Sequence, residues 1–288
     1  MFKRLFIIAL TLITATQTVF ALPAFSNIKE QALLADATYL DGLEFKAVMD
    51  ETKSVLIHQA VLPNSQVSYF LVNHKGVQTI AVRGTANLQN AMVDIDLALQ
   101  PDAKLNIILH QGFASAARAI YQDIQTYLDP TLPVQTTGHS LGGAIAVILS
   151  MYLTQDDYQV TQVVTFGQPK VTNVTGAKQF TALPLTRLVT AKDIVPLVPP
   201  LSPLQIKDMD IYWHMGEEII LLDNHQYSET NGIKSMLRAT KFTSSVPDEA
   251  NLHAHKMSYY LRLIDQLLKD PVAVPYKTEI SFWGLSLD

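Results

Sequence analysis

The sequence predicts an α/β fold in which a mostly parallel central sheet is flanked by helices. β-Rich runs alternate with helical patterns between residues 111 and 190, and this alternation is typical of βαβ units with parallel strands. No Pro-, Gly- or Ser-rich linker divides residues 22–270. We therefore expect a single domain over that range, with an 18-residue tail at 271–288 that shows no clear period.

The N-terminal part of this domain predicts a helix followed by antiparallel strands. Residues 28–39 carry apolar side chains at helical spacing. Two β-rich runs, 54–62 and 67–73, are separated by Pro63-Asn64, which indicates a hairpin. A second turn at His74–Gly76 leads into a third strand that begins at Val77.

The remainder of the domain contains the alternating elements. An amphipathic helix is expected over Gln111–Leu128, where it ends before Pro130. The later segments are a strand at 133–139, a helix at 141–153, buried strands at 161–167 and 185–191, a strand pair near a sheet edge at 211–222, and a last long helix at 255–268.

Composition and charge exclude several classes of protein. The chain is 48% hydrophobic and 16% charged, which excludes a disordered chain. A formal net charge of -5 without a long basic run argues against nucleic acid as a partner. Because the chain has no Cys, it has no disulfide, thiol nucleophile or Cys-ligated metal.

The N-terminus predicts export. Lys3 and Arg4 precede an apolar run, Leu5–Ala15, and the small residues Val19 and Ala21 suit a signal-peptidase site. We expect a signal peptide over residues 1–21, and a mature protein that is secreted or periplasmic. An uncleaved anchor is the alternative, although the apolar run is short for a membrane span.

Residues 138–142, Gly-His-Ser-Leu-Gly, match the G-x-S-x-G pattern of a nucleophile elbow. The pattern lies after a predicted strand and before a predicted helix, as the elbow requires. In this context the strained turn projects the Ser140 hydroxyl away from the sheet, beside the helix N-terminus. The alternative is a glycine-rich turn with an idle serine.

A serine nucleophile needs a base, and the base needs an orienting acid. Asp193 follows a buried strand and precedes a Pro-rich loop, which makes it the acid candidate, although it could also be a solvated turn residue. Of the later histidines, His214 lies in an alternating strand and His225 in a turn. His253 and His255 both precede the last helix, and spacing alone does not choose between them.

Several motifs in order resemble the class 3 lipase family of the α/β-hydrolase superfamily, the type represented by fungal triacylglycerol lipases. The resemblance covers most of residues 30–265 and departs from the family at Lys170 and Thr172. The matching segments are 81–85 (AVRGT), 110–116 (HQGFASA), 137–144 (TGHSLGGA), 165–173 (TFGQPKVTN), 193–200 (DIVPLVPP), 212–218 (YWHMGEE) and 255–261 (HKMSYYL).

This resemblance implies an α/β-hydrolase fold and a bacterial-style secreted member of the family. It implies Ser140, Asp193 and His255 as the catalytic residues, and selects His255 over His253. It also implies an oxyanion hole formed by the N–H of Leu141 and by Thr85, although a threonine at a strand end also suits the β conformation. No metal or organic cofactor is expected.

The segment after Thr85 falls where the family carries its lid. Its apolar residues have spacings of 4, 3 and 4, which is typical of one helical stripe, and they are Leu88, Met92, Ile95 and Leu99. Such a helix can cover the site in water and contact a lipid surface transiently. An ordinary core-packing helix has the same pattern. Ala91 stands where fungal members have Trp.

We therefore expect a serine hydrolase that cleaves carboxylic esters of lipids, such as triacylglycerols and other acylglycerols, through an acyl-enzyme. The alternatives are a phospholipase A1 or another carboxylesterase on the same scaffold and, more remotely, a non-catalytic lipid-binding module. For a lipase, a phospholipase A1 or another carboxylesterase, the expected partner is a lipid or other ester substrate. Nucleic acid is not an expected partner for any of these functions.

Overall fold

The computed structural model describes residues 24–276 except for residues 64, 86–97, 200–210 and 231–247, together with the backbone of residues 280–282 and 285–287. The expected signal peptide at residues 1–21 lies outside the described residues. Three of the four expected lid residues, Leu88, Met92 and Ile95, also lie outside them.

The described residues contain helices and strands in alternation. The helices are α1 (Phe25–Ala37), α2 (Gly42–Thr52), α3 (Gln111–Ile124), α4 (Leu141–Gln155), α5 (Val174–Gln179), α6 (Glu249–His255) and α7 (Met257–Leu267). The strands are β1 (Val55–Leu62), β2 (Val67–His74), β3 (Val77–Val82), β4 (Leu99–Asp102), β5 (Ile107–His110), β6 (Val134–His139), β7 (Val160–Phe166), β8 (Thr172–Asn173), β9 (Leu185–Thr190), β10 (Tyr212–Trp213), β11 (Glu217–Leu221), β12 (Gln226–Thr230), β13 (Val272–Ala273), β14 (Ile280–Phe282) and β15 (Leu285–Leu287).

The main sheet has the strand order β1-β2-β3-β6-β7-β9-β11-β12-β13. Its centre, from β3 through β11, is parallel. β1, β2 and β3 pair antiparallel on one side, and β11 pairs antiparallel with β12 on the other. The α/β fold with a mostly parallel central sheet is therefore confirmed, as is the hairpin at Pro63.

Helices cover both faces of this sheet, and successive strand residues pack on opposite sides. On one face α3 and α4 pack against Leu71, Ile80 and Val163. On the other face α1 and α7 pack near Val164 and Phe166. This alternation follows from the two-residue period of a strand, and it explains why the central strands are apolar along their whole length. Among the described residues, no helix is long and apolar enough to cross a membrane.

A smaller sheet with the order β10-β8-β5-β4 corrects two expectations. The segment 211–222 is not one strand pair, because β10 pairs with β8 whereas β11 lies inside the main sheet. Leu99 does not lie on a helical stripe, because it begins β4 and pairs with His110. A spacing of four residues keeps two side chains on one face of a strand as well as of a helix, so the apolar pattern did not distinguish them at Leu99.

Candidate active site

Ser140 occupies a strained turn between β6 and α4. Its backbone angles are φ 57° and ψ -131°, a combination that costs a residue with a side chain about 1–3 kcal/mol. The turn fits only because Gly142 has no side chain: a Cβ there would lie 2.3 Å from the carbonyl oxygen of Val82. Ser140 is therefore held against the end of β3 at the start of a helix, in a conformation that the fold must enforce.

His255 and Asp193 form a buried pair. The Nδ1 of His255 lies 2.8 Å from Oδ2 of Asp193, and the residues are 3% and 1% exposed. The Tyr260 hydroxyl donates to the same oxygen at 2.6 Å, and the Val195 N–H donates to Oδ1 at 2.9 Å. Burial alone would raise the pKa of Asp193, but the charge of His255 and these hydrogen bonds together lower it below its ordinary value. Asp193 is thus an ionised acceptor that orients His255.

His139 brings this pair next to the elbow. Its ring lies 4.4 Å from the ring of His255, centroid to centroid, and its Nε2 lies 2.7 Å from the carbonyl oxygen of His255. Because Nδ1 of His255 is bonded to Asp193, its Nε2 is the ring nitrogen left for another partner. Within the described part of the chain, neither this Nε2 nor the Ser140 Oγ has a hydrogen-bond partner.

The end of β3 and the start of α4 surround Ser140. A Cβ built on Gly84 would lie 3.1 Å from the Cβ of Ser140, and Thr85, which is exposed, follows directly. Leu141 is the first residue of α4, so its N–H belongs to the four that a helix leaves unpaired. The structure thus brings the predicted oxyanion residues to the same end of the sheet as Ser140.

The other candidate histidines have different surroundings. His214 is buried just after β10, and its Nε2 lies 2.6 Å from the carbonyl oxygen of Pro196. Its pKa lies well below the ordinary value, chiefly because of burial. His225 lies in a turn, with φ 60°, as expected. His253 is exposed. Of the histidines after Asp193, His255 is the one that reaches its carboxylate.

Two residues that support the pair were not predicted as site residues. Gly167 has φ 61°, and a Cβ there would lie 2.7 Å from both Oδ2 of Asp193 and Cε1 of His255. Lys170 is buried, and its ammonium group donates to the carbonyl oxygens of Leu197 and Pro199 at 2.5 and 2.8 Å. Lys170 therefore holds the loop that follows Asp193. Both residues lie in the motif at 165–173, which was the available signal.

Because Gly167 packs directly against Asp193 and His255, we expect Gly167→Ala to reduce ester hydrolysis by at least about 100-fold. The added methyl group must displace the carboxylate or the imidazole, and misplacement of about 1 Å costs rates of this order. The measurement is kcat for a dissolved short-chain ester. Gly76→Ala is the matched control, since Gly76 also has a left-handed φ, of 82°, but its added Cβ meets nothing within 4 Å.

Both variants place Ala at a left-handed φ, so both should lose thermal stability, and Gly167→Ala should lose more because its methyl group also meets the buried pair. Equal kcat in the two variants would show that the methyl group at Gly167 is accommodated without moving the pair.

Ser140 is buried, with 1% of its surface exposed. Within the described ranges, no group of three or more His, Asp or Glu side chains could hold a metal ion. The arrangement consists of a buried hydroxyl, an imidazole and a carboxylate, with helix N–H groups beside the hydroxyl. Such a set can transfer an acyl group.

Comparison with known proteins relates the chain to the class 3 lipase family. Residues 79–202, a segment that includes Ser140 and Asp193, match the family described as "Lipase (class 3)". The lipase of Rhizopus niveus is 35% identical over 140 residues, which are 43% of this chain and 35% of that protein. The lipase of Rhizomucor miehei is 29% identical over 160 residues, 50% of this chain and 42% of that protein. The chain thus spans less than half the length of these relatives.

Further relatives include a secreted mono- and diacylglycerol lipase of Fusarium solani, 28% identical over 138 residues, 42% of this chain and 39% of that protein. These relatives are fungal and do not support a bacterial-style member.

Solved structures share the fold. The lipase of Rhizopus microsporus var. chinensis superposes with a TM-score of 0.58 at 23% identity, over 68% of this chain and 74% of that one. The Lip2 lipase of Yarrowia lipolytica gives a TM-score of 0.58 at 24% identity, over 69% of this chain and 80% of that one.

Proposed function

We propose that the protein is a secreted serine hydrolase that cleaves the carboxylic esters of acylglycerols, with Ser140 as nucleophile, His255 as base and Asp193 as orienting acid. The observation that carries the proposal is the buried Asp193–His255 pair packed against an elbow whose serine has φ 57°. A strained backbone beside a buried, ionised carboxylate is costly, and such costs concentrate at functional sites.

In the proposed reaction the Oγ of Ser140 attacks the ester carbonyl while Nε2 of His255 accepts the hydroxyl proton. Asp193 keeps the other proton of the imidazole on Nδ1 and stabilises the imidazolium that forms. His255 then gives its proton to the leaving alcohol, and an acyl-enzyme remains on Ser140. Water, deprotonated by His255, attacks this acyl-enzyme; the bond to Ser140 breaks, the fatty acid leaves, and His255 returns the proton to the Oγ of Ser140.

The oxyanion of each tetrahedral intermediate would accept hydrogen bonds from the N–H of Leu141 and from the N–H and hydroxyl of Thr85. Donors of this kind stabilise the transition state by about 3–4 kcal/mol each. The position of the two residues supports them as the donors. α4 begins at Leu141, and Thr85 directly follows Gly84, the residue at the end of β3 that lies against Ser140.

Three further observations support, in turn, the substrate class, the export of the protein and a cover over Ser140. The relatives are described as lipases, and those of Fusarium solani and Penicillium cyclopium as secreted mono- and diacylglycerol lipases. The N-terminal apolar run supports export. The burial of Ser140 supports a movable cover, which we assign to the segment with Leu88, Met92 and Ile95. Such a cover would contact lipid transiently.

The test is hydrolysis by the purified protein across p-nitrophenyl esters of increasing chain length, tributyrin and phosphatidylcholine. We expect turnover of dissolved short-chain esters and of tributyrin, with a modest rise in rate as tributyrin passes its solubility limit, because Ala91 replaces the Trp of related lids. Turnover of phosphatidylcholine alone would favour a phospholipase A1. Binding of lipid without turnover of any ester would establish a non-catalytic module.

A further inference from the structure

Tyr39 and His139 have no part in the proposed chemistry, yet they join the segments that carry it. Tyr39 follows α1, far from Ser140 in sequence. Its hydroxyl lies 2.9 Å from Nδ1 of His139 and packs against Gly84, where an added Cβ would lie 2.5 Å from the hydroxyl oxygen. His139 in turn contacts the backbone carbonyl of His255 through its other nitrogen, at 2.7 Å.

The direction of each hydrogen bond follows from the partners. A carbonyl oxygen can only accept, so Nε2 of His139 carries the proton that it donates to His255. Nδ1 of a neutral imidazole is then an acceptor, and the Tyr39 hydroxyl must donate to it. The chain of donors therefore runs from Tyr39 to His139 and from His139 to the backbone of His255, and the Tyr39 hydroxyl at its start packs against Gly84.

His139 keeps this neutral form throughout. Burial, together with the charge of His255, lowers the pKa of His139 to about 3, and burial raises the pKa of the Tyr39 hydroxyl. A second positive imidazole 4.4 Å from a protonated His255 would also be repelled. His139 is consequently a fixed donor to the base segment and does not compete for the proton of Ser140.

We propose that Tyr39 and His139 are positioning residues that lock the base segment at His255 to the strand end at Gly84, and so fix the distance between the base and the oxyanion hole. The proposal rests on the proposed function, because it assigns roles relative to Ser140, His255 and Thr85. Acyl transfer needs both groups placed to within a fraction of an ångström, and they come from segments 170 residues apart (Thr85 to His255).

The experiment removes single hydrogen bonds and keeps the packing. Tyr39→Phe retains the ring, which packs on His139 and under the Arg83 guanidinium. His139→Gln retains an N–H at the position of Nε2, whereas His139→Leu does not. Tyr152→Phe is the matched control, since it also removes a hydrogen-bonded tyrosine hydroxyl. Tyr152 lies near the C-terminal end of α4, away from Ser140, and its hydroxyl donates to Asp102.

On a dissolved ester we expect Tyr39→Phe to lower kcat about 10-fold and His139→Leu about 100-fold, each with KM within about twofold of the wild type. His139→Gln should recover most of the loss of His139→Leu. Tyr152→Phe should lose thermal stability comparable to that of Tyr39→Phe while its kcat is unchanged.

Equal kcat in Tyr39→Phe and Tyr152→Phe would overturn the proposal, and so would equal kcat in the Gln and Leu variants at His139. If Tyr39→Phe does not fold, the two His139 variants decide. A readout without activity is NMR of the His139 ring nitrogens, expected to show the Nε2–H tautomer in the wild type and, in Tyr39→Phe, the same tautomer with a shifted Nδ1 resonance, because Nδ1 loses its donor while Nε2 still donates to the His255 carbonyl. A wild type with that tautomer but no esterase activity would refute the proposed function alone.

Discussion

Replacing Ser140 by Ala is expected to lower kcat for ester hydrolysis by roughly four to six orders of magnitude, without loss of the fold. The proposed nucleophile is a single oxygen, and no neighbouring group can form the acyl-enzyme in its place. That oxygen is buried and has no hydrogen-bond partner among the described residues. Its removal therefore breaks no bond and relieves an unpaired polar group, which costs about 1–3 kcal/mol when buried.

We therefore expect the free energy of unfolding of Ser140→Ala to equal or exceed that of the wild type, measured by urea denaturation. The backbone strain at φ 57° remains, since Ala tolerates this conformation no better than Ser. The combination of lost activity with retained stability separates a chemical role from a structural one. Activity within tenfold of the wild type would remove Ser140 as the nucleophile.

The elbow could be predicted because its geometry depends on local sequence. Gly142 must lack a side chain because a Cβ there would clash with the carbonyl oxygen of Val82. The sequence shows this requirement directly, as glycines at fixed offsets from Ser140. The parallel sheet could be predicted for a similar reason, since periodicity and turn residues are local. In both cases the information lies within about ten residues of the feature.

The supports of the site could not be predicted in this way, because they depend on contacts between distant segments. Tyr39 reaches His139 across 100 residues, and Tyr260 reaches Asp193 across 67. Gly167 must lack a side chain because a Cβ there would meet the Asp193–His255 pair. No periodicity or spacing encodes such contacts, and the family resemblance identified the motifs without the geometry.

The segment before the last helix shows how a local signal was missed. The sequence places His253 and His255 before the last helix without a helix of their own, but residues 249–255 form helix α6. Asp248 caps it: its side chain accepts from the Asn251 N–H, and the Asn251 side chain accepts from the Asp248 N–H. The Asp-x-x-Asn pattern is a weak variant of the capping box, which is why α6 was not predicted.

The helix strengthens the distinction between the two neighbouring histidines. Residues two apart on a helix point about 200° apart around its axis, so His253 and His255 face opposite directions. His255 is buried against Asp193, and His253 is exposed beside the ring of Tyr259, with centroids 5.0 Å apart. Alternation along an extended segment would separate them as well, but the helix places His255 on the face that packs against the sheet.

We therefore expect His255→Ala to lower kcat by about 10⁴-fold or more, whereas His253→Ala should change it less than about twofold. Without the imidazole no group accepts the Ser140 proton, and the Asp193 carboxylate loses its buried partner, so His255→Ala should also be less stable. Both variants are measured on the same dissolved ester.

Imidazole added to the His255→Ala protein should restore a small part of the rate, because the vacated space adjoins both Asp193 and Ser140. Inactivation by the His253 change, together with activity in His255→Ala, would reverse the assignment of the base.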